Sequence, residues 1–193
     1  MQKSDRYHHG DARNALLAAA AALIEESGAR GLSLRQLAER AELSRQAPYN
    51  HFQDKQALLA ELAGDGFRTL ESRIRHGKGY PTSPASLEHA AAAYIGFAQQ
   101  HPALFRLMFS SELVDLTRFP AARAAGAACR QSLAEIIATM APGERAADLV
   151  LAAWSIVHGY ATLCIETGLE GPRMRTRRAR EFARLIAAEA ARN

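Results

Sequence analysis

Nowhere in this chain do polar and apolar residues alternate over the length of a strand. Instead, Ala- and Leu-rich stretches repeat apolar residues at helical spacing and are cut by Gly and Pro. That spacing gathers apolar side chains on one face of a helix, so an all-α protein is the expected fold. With 193 residues, 48% of them apolar, the chain can form one or two compact domains with real cores.

The punctuation predicts about nine helices. The first runs from about Asp11 to Ser27, with Leu16, Ala20, Leu23 and Ile24 as its stripe, and stops at Gly28. Ser33 followed by Gln36 reads as a capping box opening the second. Leu34, Leu37, Ala38 and Ala41 are its buried face. A short third helix opens at Ser44 or Arg45 and ends near Phe52. Asp54 caps a fourth that runs to about His76. The stretch GKGYPTSP, Gly77 to Pro84, is a break. Further helices are expected at Pro84–Gln100, from Pro102 through PALFRLMFS, at Pro120–Met140, Glu144–Thr167 and Thr176–Arg192. The domain division expected from this pattern is 1–60 and 61–193.

Charge narrows the options less than its placement does. The net charge is +4, yet residues 1–61 hold eight Lys/Arg and eight Asp/Glu, whereas residues 173–184 hold six Arg and one Glu. That Arg run is read as a solvated face. Cys129 and Cys164 sit inside helical patterns and are expected to be reduced core residues. The opening MQKSDRYHHGDAR lacks an apolar leader core, so a cytoplasmic location is expected. Residues 146–165 are long enough to span a bilayer. Asp148, Ser155, His158, Thr162 and the many small residues instead suggest a helix buried on two sides, and no membrane is expected as a partner.

The short third helix is the most informative segment. Joined to the second by only Ala41, Glu42 and Leu43, it makes a helix-turn-helix pattern, whose second helix can enter the DNA major groove. On its wheel Pro48 and Phe52 share one side, and Gln46 and Asn50 lie opposite. Amides suit bidentate bonds to adenine. Ala47 would let the backbone approach or touch a thymine methyl. Tyr49, His51 and Arg45 stand where phosphates would pass. With Ser44 as cap, Pro48 falls one place too late; Arg45 as effective cap removes most of that conflict. A capped surface helix facing water is the competing reading of the same spacing.

The stretch HHGDARNALLAAAAALIEESGARGLSLRQLAERAELSRQAPYNHFQDKQALLAEL, residues 8–62, resembles the DNA-binding domain of the tetracycline-repressor-like (TetR) family of bacterial transcription regulators. The specific marks are the Gly28 turn, Ser33 before LRQLAERAELS, the Tyr49-x-His51-Phe52 group and Lys55. Pro48 departs from the aliphatic residue usual there. The resemblance implies phosphate contacts from Ser33, Arg35, Tyr49, His51 and Lys55. It implies base contacts from Gln46, Ala47, Asn50 and Arg45, and an arm containing Lys3, Arg6 and His8 ahead of the first helix. AAWSIVHGYATLCIETG and HPALFRLMFSSEL resemble a ligand-domain subgroup marked by Trp-x3-His-Gly, here Trp154, His158 and Gly159. Membership implies a ligand-responsive regulator, most simply a repressor released from a palindromic double-stranded DNA operator by a small molecule. It also implies a homodimer through the eighth and ninth helices.

The residues themselves agree with a dimer. The eighth helix is apolar nearly all round, and Ala152, Ala153, Gly159 and Ala161 allow close helix approach. The ninth offers Phe182, Leu185, Ile186 and Ala190, and a partner subunit is the simplest cover. Phe97, Phe105, Met108, Phe109, Trp154 and His158 are the candidate lining for an apolar or amphipathic effector. The competing reading makes them core, with His158 satisfied by a hydrogen bond. The seven histidines form no i, i+4 pair, so neither a metal nor a cofactor is expected. Ser155 and His158 share a helix without an acidic orienter or nucleophile elbow, so catalysis is not expected. An architectural DNA binder without an effector is the remaining alternative.

Overall fold

The computed structural model describes residues 5–77, 80–82, 85–141, 143 and 145–192, with side chains from Ala12 onward except that of Pro172. The described residues form nine α-helices and no strand: α1 (Asp5–Gly31), α2 (Leu34–Arg40), α3 (Ala47–His51), α4 (Lys55–Arg75), α5 (Ala85–Gln100), α6 (Pro102–Phe109), α7 (Pro120–Ala138), α8 (Arg145–Thr167) and α9 (Pro172–Ala190). A 3-10 turn, Leu116–Arg118, lies between α6 and α7. The chain is all-α. Its contacts separate into two compact units, one running to Gly66 and taking in Ala103–Arg123, the other made of Phe67–Pro102 and the chain from Ala124 on.

In the first unit the helical backbone breaks at Gly28, as expected, and a short turn continues beyond it. Gly28 has φ 75 and ψ 158, backbone open to glycine almost alone, and Ala29–Gly31 add one more turn beyond it. At its other end α1 begins at Asp5, well before Asp11. Only Gly10 opposes the helix there, and one glycine costs about 1 kcal/mol. The backbone of Arg6 and His8 is therefore helical, not an arm ahead of the helix; Lys3 lies outside the described residues.

Ser33 caps α2 as expected: its Oγ accepts from the Gln36 backbone N–H at 3.2 Å and donates to Gln36 Oε1 at 2.9 Å. The link to α3 is longer than three residues and runs from Ala41 to Gln46. Glu42 takes the left-handed conformation, φ 55, while Leu43 N–H bonds to Ala38 O at 2.9 Å and closes α2. Neither Ser44 nor Arg45 caps α3; that position is Gln46. Ala47 N–H bonds to Ser44 O at 2.9 Å, and Pro48 falls in the first turn, where its missing N–H leaves no helical bond unmade. The predicted conflict at Pro48 disappears because the helix starts later.

Asp54 caps α4, its Oδ1 accepting from Ala57 N–H at 2.7 Å. The N-terminus of α6 is capped from far away: the Glu25 carboxylate on α1 accepts from Ala103 N–H at 3.0 Å and Leu104 N–H at 3.1 Å. Leu107, Phe105 and Met108 are buried, and a Cβ added at Gly66 would come within 2.7 Å of Met108 Sδ. Gln56 Nε2 holds the following loop by donating to Leu113 O at 3.1 Å.

In the second unit α5 packs on both α8 and α9, and α8 packs on α9. Arg75 donates to Glu71 at 2.9 Å and to Glu135 at 3.0 Å, and Tyr80 O–H reaches Glu135 at 2.5 Å, which ties α4 to α7. The Tyr80 bond, then Arg75, holds the Glu135 carboxyl below its ordinary pKa. Tyr160 O–H bonds to Glu170, pinning the α8–α9 turn. Cys129 and Cys164 are free and buried, and burial pushes the Cys129 thiol up to about 12. Helix α9 starts at Pro172, ahead of the expected Thr176, since proline suits a first helical turn. Of the expected break Gly77–Pro84, residues 78, 79, 83 and 84 lie outside the described residues.

One helix among the described residues, α8, is long and apolar enough to cross a membrane by length and composition, and 33% of its apolar window is buried. Leu149, Ala153, Val157, Tyr160, Ala161 and Cys164 face inward. Ala152, Ser155, Gly159, Leu151 and Leu163 face out, so the double-sided apolar character of the sequence appears as one covered face and one bare one.

Candidate nucleic-acid interface

The nine residues predicted to meet DNA all belong to the first unit. They occupy the start of α2, the whole of α3 with its cap, and the start of α4. Arg45, Gln46, Tyr49 and Asn50 are exposed, Tyr49 at 57%, while Ala47, His51, Ser33 and Lys55 are half-buried. Beneath them Pro48 is fully buried and Phe52 is 3% exposed. The wheel separation of an amide side from an anchoring side is thus the arrangement observed.

Arg35 and Lys55, both expected phosphate contacts, also bond within the protein. Arg35 Nε pairs with Glu39 at 3.1 Å, but the two side chains are 70% and 54% exposed, so this i,i+4 pair is weak and open to exchange. Lys55 Nζ donates to Arg30 O at 2.9 Å, at the end of the turn that follows Gly28, and burial lowers its pKa. An ammonium carries three donors, so a phosphate remains within its capacity. Local sequence held no sign of the Lys55 bond, which spans the α1–α4 separation.

A further residue was not foreseen. Arg13 on α1 places both terminal nitrogens on the Glu61 carboxylate of α4, the second at 2.5 Å. The same guanidinium lies 5.4 Å over the Phe52 ring. No motif marks this arginine, because its partners are distant in sequence.

The six candidate effector residues do not fall in one unit. Phe105, Met108 and Phe109 belong to the first, where Phe105 and Phe109 rings pack at 5.0 Å; Phe97, Trp154 and His158 belong to the second. Trp154 and His158 lie one turn apart and meet Tyr94 of α5, which the prediction had left out. Trp154 Nε1–H can only donate, and it reaches Tyr94 Oη at 3.3 Å. Tyr94 Oη and His158 Nδ1 are hydrogen-bonded at 2.8 Å, the donor being set by the imidazole tautomer. Burial lowers the His158 pKa and raises that of Tyr94, so this trio is neutral. Arg130 lies 5.6 Å over the Trp154 ring. Phe97 is fully buried, with Arg73 at 5.4 Å over its ring.

Elsewhere three arginines of the Arg run are paired inside the unit: Arg177 and Arg178 with Glu181, each at 2.8 Å, and Arg184 with Glu88 at 3.1 Å. Among the described residues no group of three or more His, Cys, Asp or Glu gathers as metal ligands.

An all-helical chain that presents an amide-bearing short helix over two buried anchors, one turn after α2, has a helix-turn-helix arrangement. Residues 16–62 match the family model described as bacterial regulatory proteins, tetR family, and residues 87–188 match that of the tetracyclin repressor-like C-terminal domain. The chain belongs to the TetR family of DNA-binding transcriptional regulators and is not an enzyme. It is similar to a solved protein of unknown function from Rhodococcus sp. RHA1, at 33% identity and TM-score 0.75, covering 97% of this chain and 100% of that one. Its fold is shared with a tetR-family regulator from Streptomyces coelicolor (23% identity, TM-score 0.71, 94% and 85% covered). It is shared too with the TetR family regulator PfmR from Thermus thermophilus (20%, 0.68, 90% and 97%). No protein of curated function matches the chain.

Proposed function

We propose that this regulator is a cytoplasmic homodimeric repressor that leaves a palindromic operator when a small molecule binds. Residues 1–60 supply the DNA-binding domain and 61–193 the effector-binding and dimerisation domain. Ser33, Arg35, Tyr49, His51 and Lys55 hold phosphates, and Arg45, Gln46, Ala47 and Asn50 meet bases.

The observation that carries the dimer is the bare face of α8. Leu151 is 60% and Leu163 51% exposed, and Leu185 of α9 is 64% exposed. Between the two leucines on α8 lie Ala152, Ser155 and Gly159, small enough for a second helix to approach closely; a Cβ added at Gly159 meets nothing within 4 Å. Apolar area left in water forgoes about 25 cal/mol per Å², and a second copy of the same face is its simplest cover.

The effector is an apolar or amphipathic molecule held beside Trp154, His158 and Phe97. Sedimentation equilibrium at micromolar concentration should give a dimer. A panel of apolar and amphipathic compounds should contain one that raises the melting temperature and weakens binding to a duplex the protein itself selects from a random-sequence pool. Trp154→Ala should abolish that response and keep DNA binding. A monomer, or a Trp154→Ala variant that responds normally, would overturn the corresponding part.

A further inference from the structure

Helix α3 has only five residues, Ala47–His51, too few to hold a direction through its own hydrogen bonds. Whatever aims its outer face must come from the residues that anchor it. Two do so from within the segment. Pro48 is fully buried, and Phe52, whose N–H closes the helix on Pro48 O at 2.9 Å, is 3% exposed. Pro48 is locked by its ring, but the Phe52 side chain can turn, and its placement sets the roll of the helix end.

Arg13 is the group that closes over Phe52. Its guanidinium lies 5.4 Å above the ring. It is itself held in one orientation by a two-point bond to Glu61, the geometry in which an arginine fork and a carboxylate fit face to face. Glu61 side-chain exposure is 21% and that of Arg13 is 44%, so the pair sits at the edge of the core and not in it. One side chain therefore joins α1, the end of α3 and α4. Arg13 lies on the anchoring side of α3, with Phe52, while Gln46 and Asn50 lie opposite.

We propose that Arg13 is a positioning residue for sequence readout: held by Glu61 and seated on Phe52, it sets the orientation at which Gln46 and Asn50 meet base edges. This rests on α3 being the base-reading helix. The role needs a planar fork that bonds and covers a ring at once. A lysine would keep the charge and lose both features.

The test uses the full-length protein and two duplexes, one selected by the wild-type protein from a random-sequence pool and one of scrambled sequence, titrated at several salt concentrations. Arg13→Lys and Glu61→Gln should each lower the ratio of selected to scrambled affinity by about fivefold, the scale of one cation–π contact and its support. Affinity for the scrambled duplex and the salt slope should stay at wild-type values. If Arg13 grips phosphate directly, Arg13→Ala lowers affinity for both duplexes together and reduces the salt slope, while Glu61→Gln leaves both in place or strengthens them; that result overturns the proposal. An unchanged ratio in folded Arg13→Lys and Glu61→Gln proteins overturns it as well. Should Arg13→Ala fail to fold, the isosteric Glu61→Gln still decides. A wild-type protein that selects no duplex at all would count against the base-reading function of α3 itself, an outcome distinct from any change in ratio.

Discussion

The outer face of α3 and the outer face of α8 are both exposed, and they are exposed for opposite reasons. On α3 the solvent side carries Gln46, Tyr49 and Asn50, which water satisfies, and the inner side carries two buried anchors. On α8 the solvent side carries Leu151 and Leu163, which water does not satisfy, and the inner side is already committed to α5 and α9. A polar surface on a pinned short helix can be bare or occupied at little cost, as a regulator that binds and leaves DNA requires. An apolar stripe on a long helix favours lasting cover. The sequence pattern of each helix announces which kind of contact it makes.

Changes on the α8 side should be the largest. Leu163→Asp would place a charge where the second copy packs, losing about 3 kcal/mol over the two copies, or roughly a hundredfold in dimer Kd. The monomer fold should survive, as circular dichroism would show beside sedimentation. A folded Leu163→Asp protein that remains dimeric would break the contrast. Next come two glycines that separate fold from assembly. Gly28→Ala should lower stability by about 2 kcal/mol through backbone strain alone, since nothing lies within 4 Å of the added Cβ. Gly159→Ala has no such strain and should leave the fold unchanged while weakening the dimer. Thermal melts and sedimentation on both variants decide it.

On the α3 side, Asn50→Ala should lose roughly 1–3 kcal/mol on the selected duplex and much less on scrambled DNA. Lys55→Ala should weaken both alike and reduce the salt slope. It should also lower the melting temperature, because its bond to Arg30 O goes too. Equal losses on both duplexes for Asn50→Ala would make α3 a grip and not a reader. The smallest effect concerns pH. Burial holds the folded His158 pKa below its ordinary 6.5, so the unfolded chain binds the proton first as pH falls. Stability should be full above about 6.5 and decline below it. His158→Gln should flatten that decline in melts taken between neutral and acid pH.

What could be read in advance was what is decided locally. Ser33 with Gln36 and Asp54 before α4 are signals whose partners lie within a turn, and Gly28 and Pro102 act through their own backbone; each stands where its spacing implied. The start of α3 falls one or two residues later than Ser44 or Arg45, at Gln46, which has no side-chain cap bond to announce it; Pro48 then takes a first-turn position. The Arg13–Glu61–Phe52 junction, the Tyr94–His158 bond and the Lys55–Arg30 tie were not legible. Each joins side chains whose meeting depends on how helices pack, and nothing in the composition of α5 singles out Tyr94 as the partner of a histidine on α8. The six apolar effector candidates shared a composition, and composition does not say which compact unit a residue joins.

The chain crosses between its units at Gly66, at Pro102 and again at Arg123, and α6 belongs with the helices made first. During synthesis, then, the carboxylate of Glu25 emerges long before the amides of Ala103 and Leu104 that it will hold. Leu107 and Met108 are missing from the core of the first unit until the ribosome has passed them. The first unit is therefore not complete when its first three helices have appeared. The unit stays incomplete until residue 123 has left the exit tunnel, an interval of seconds at ordinary elongation rates. A regulator of this build completes the compact unit that carries its short amide-bearing helix only in the second half of its own translation.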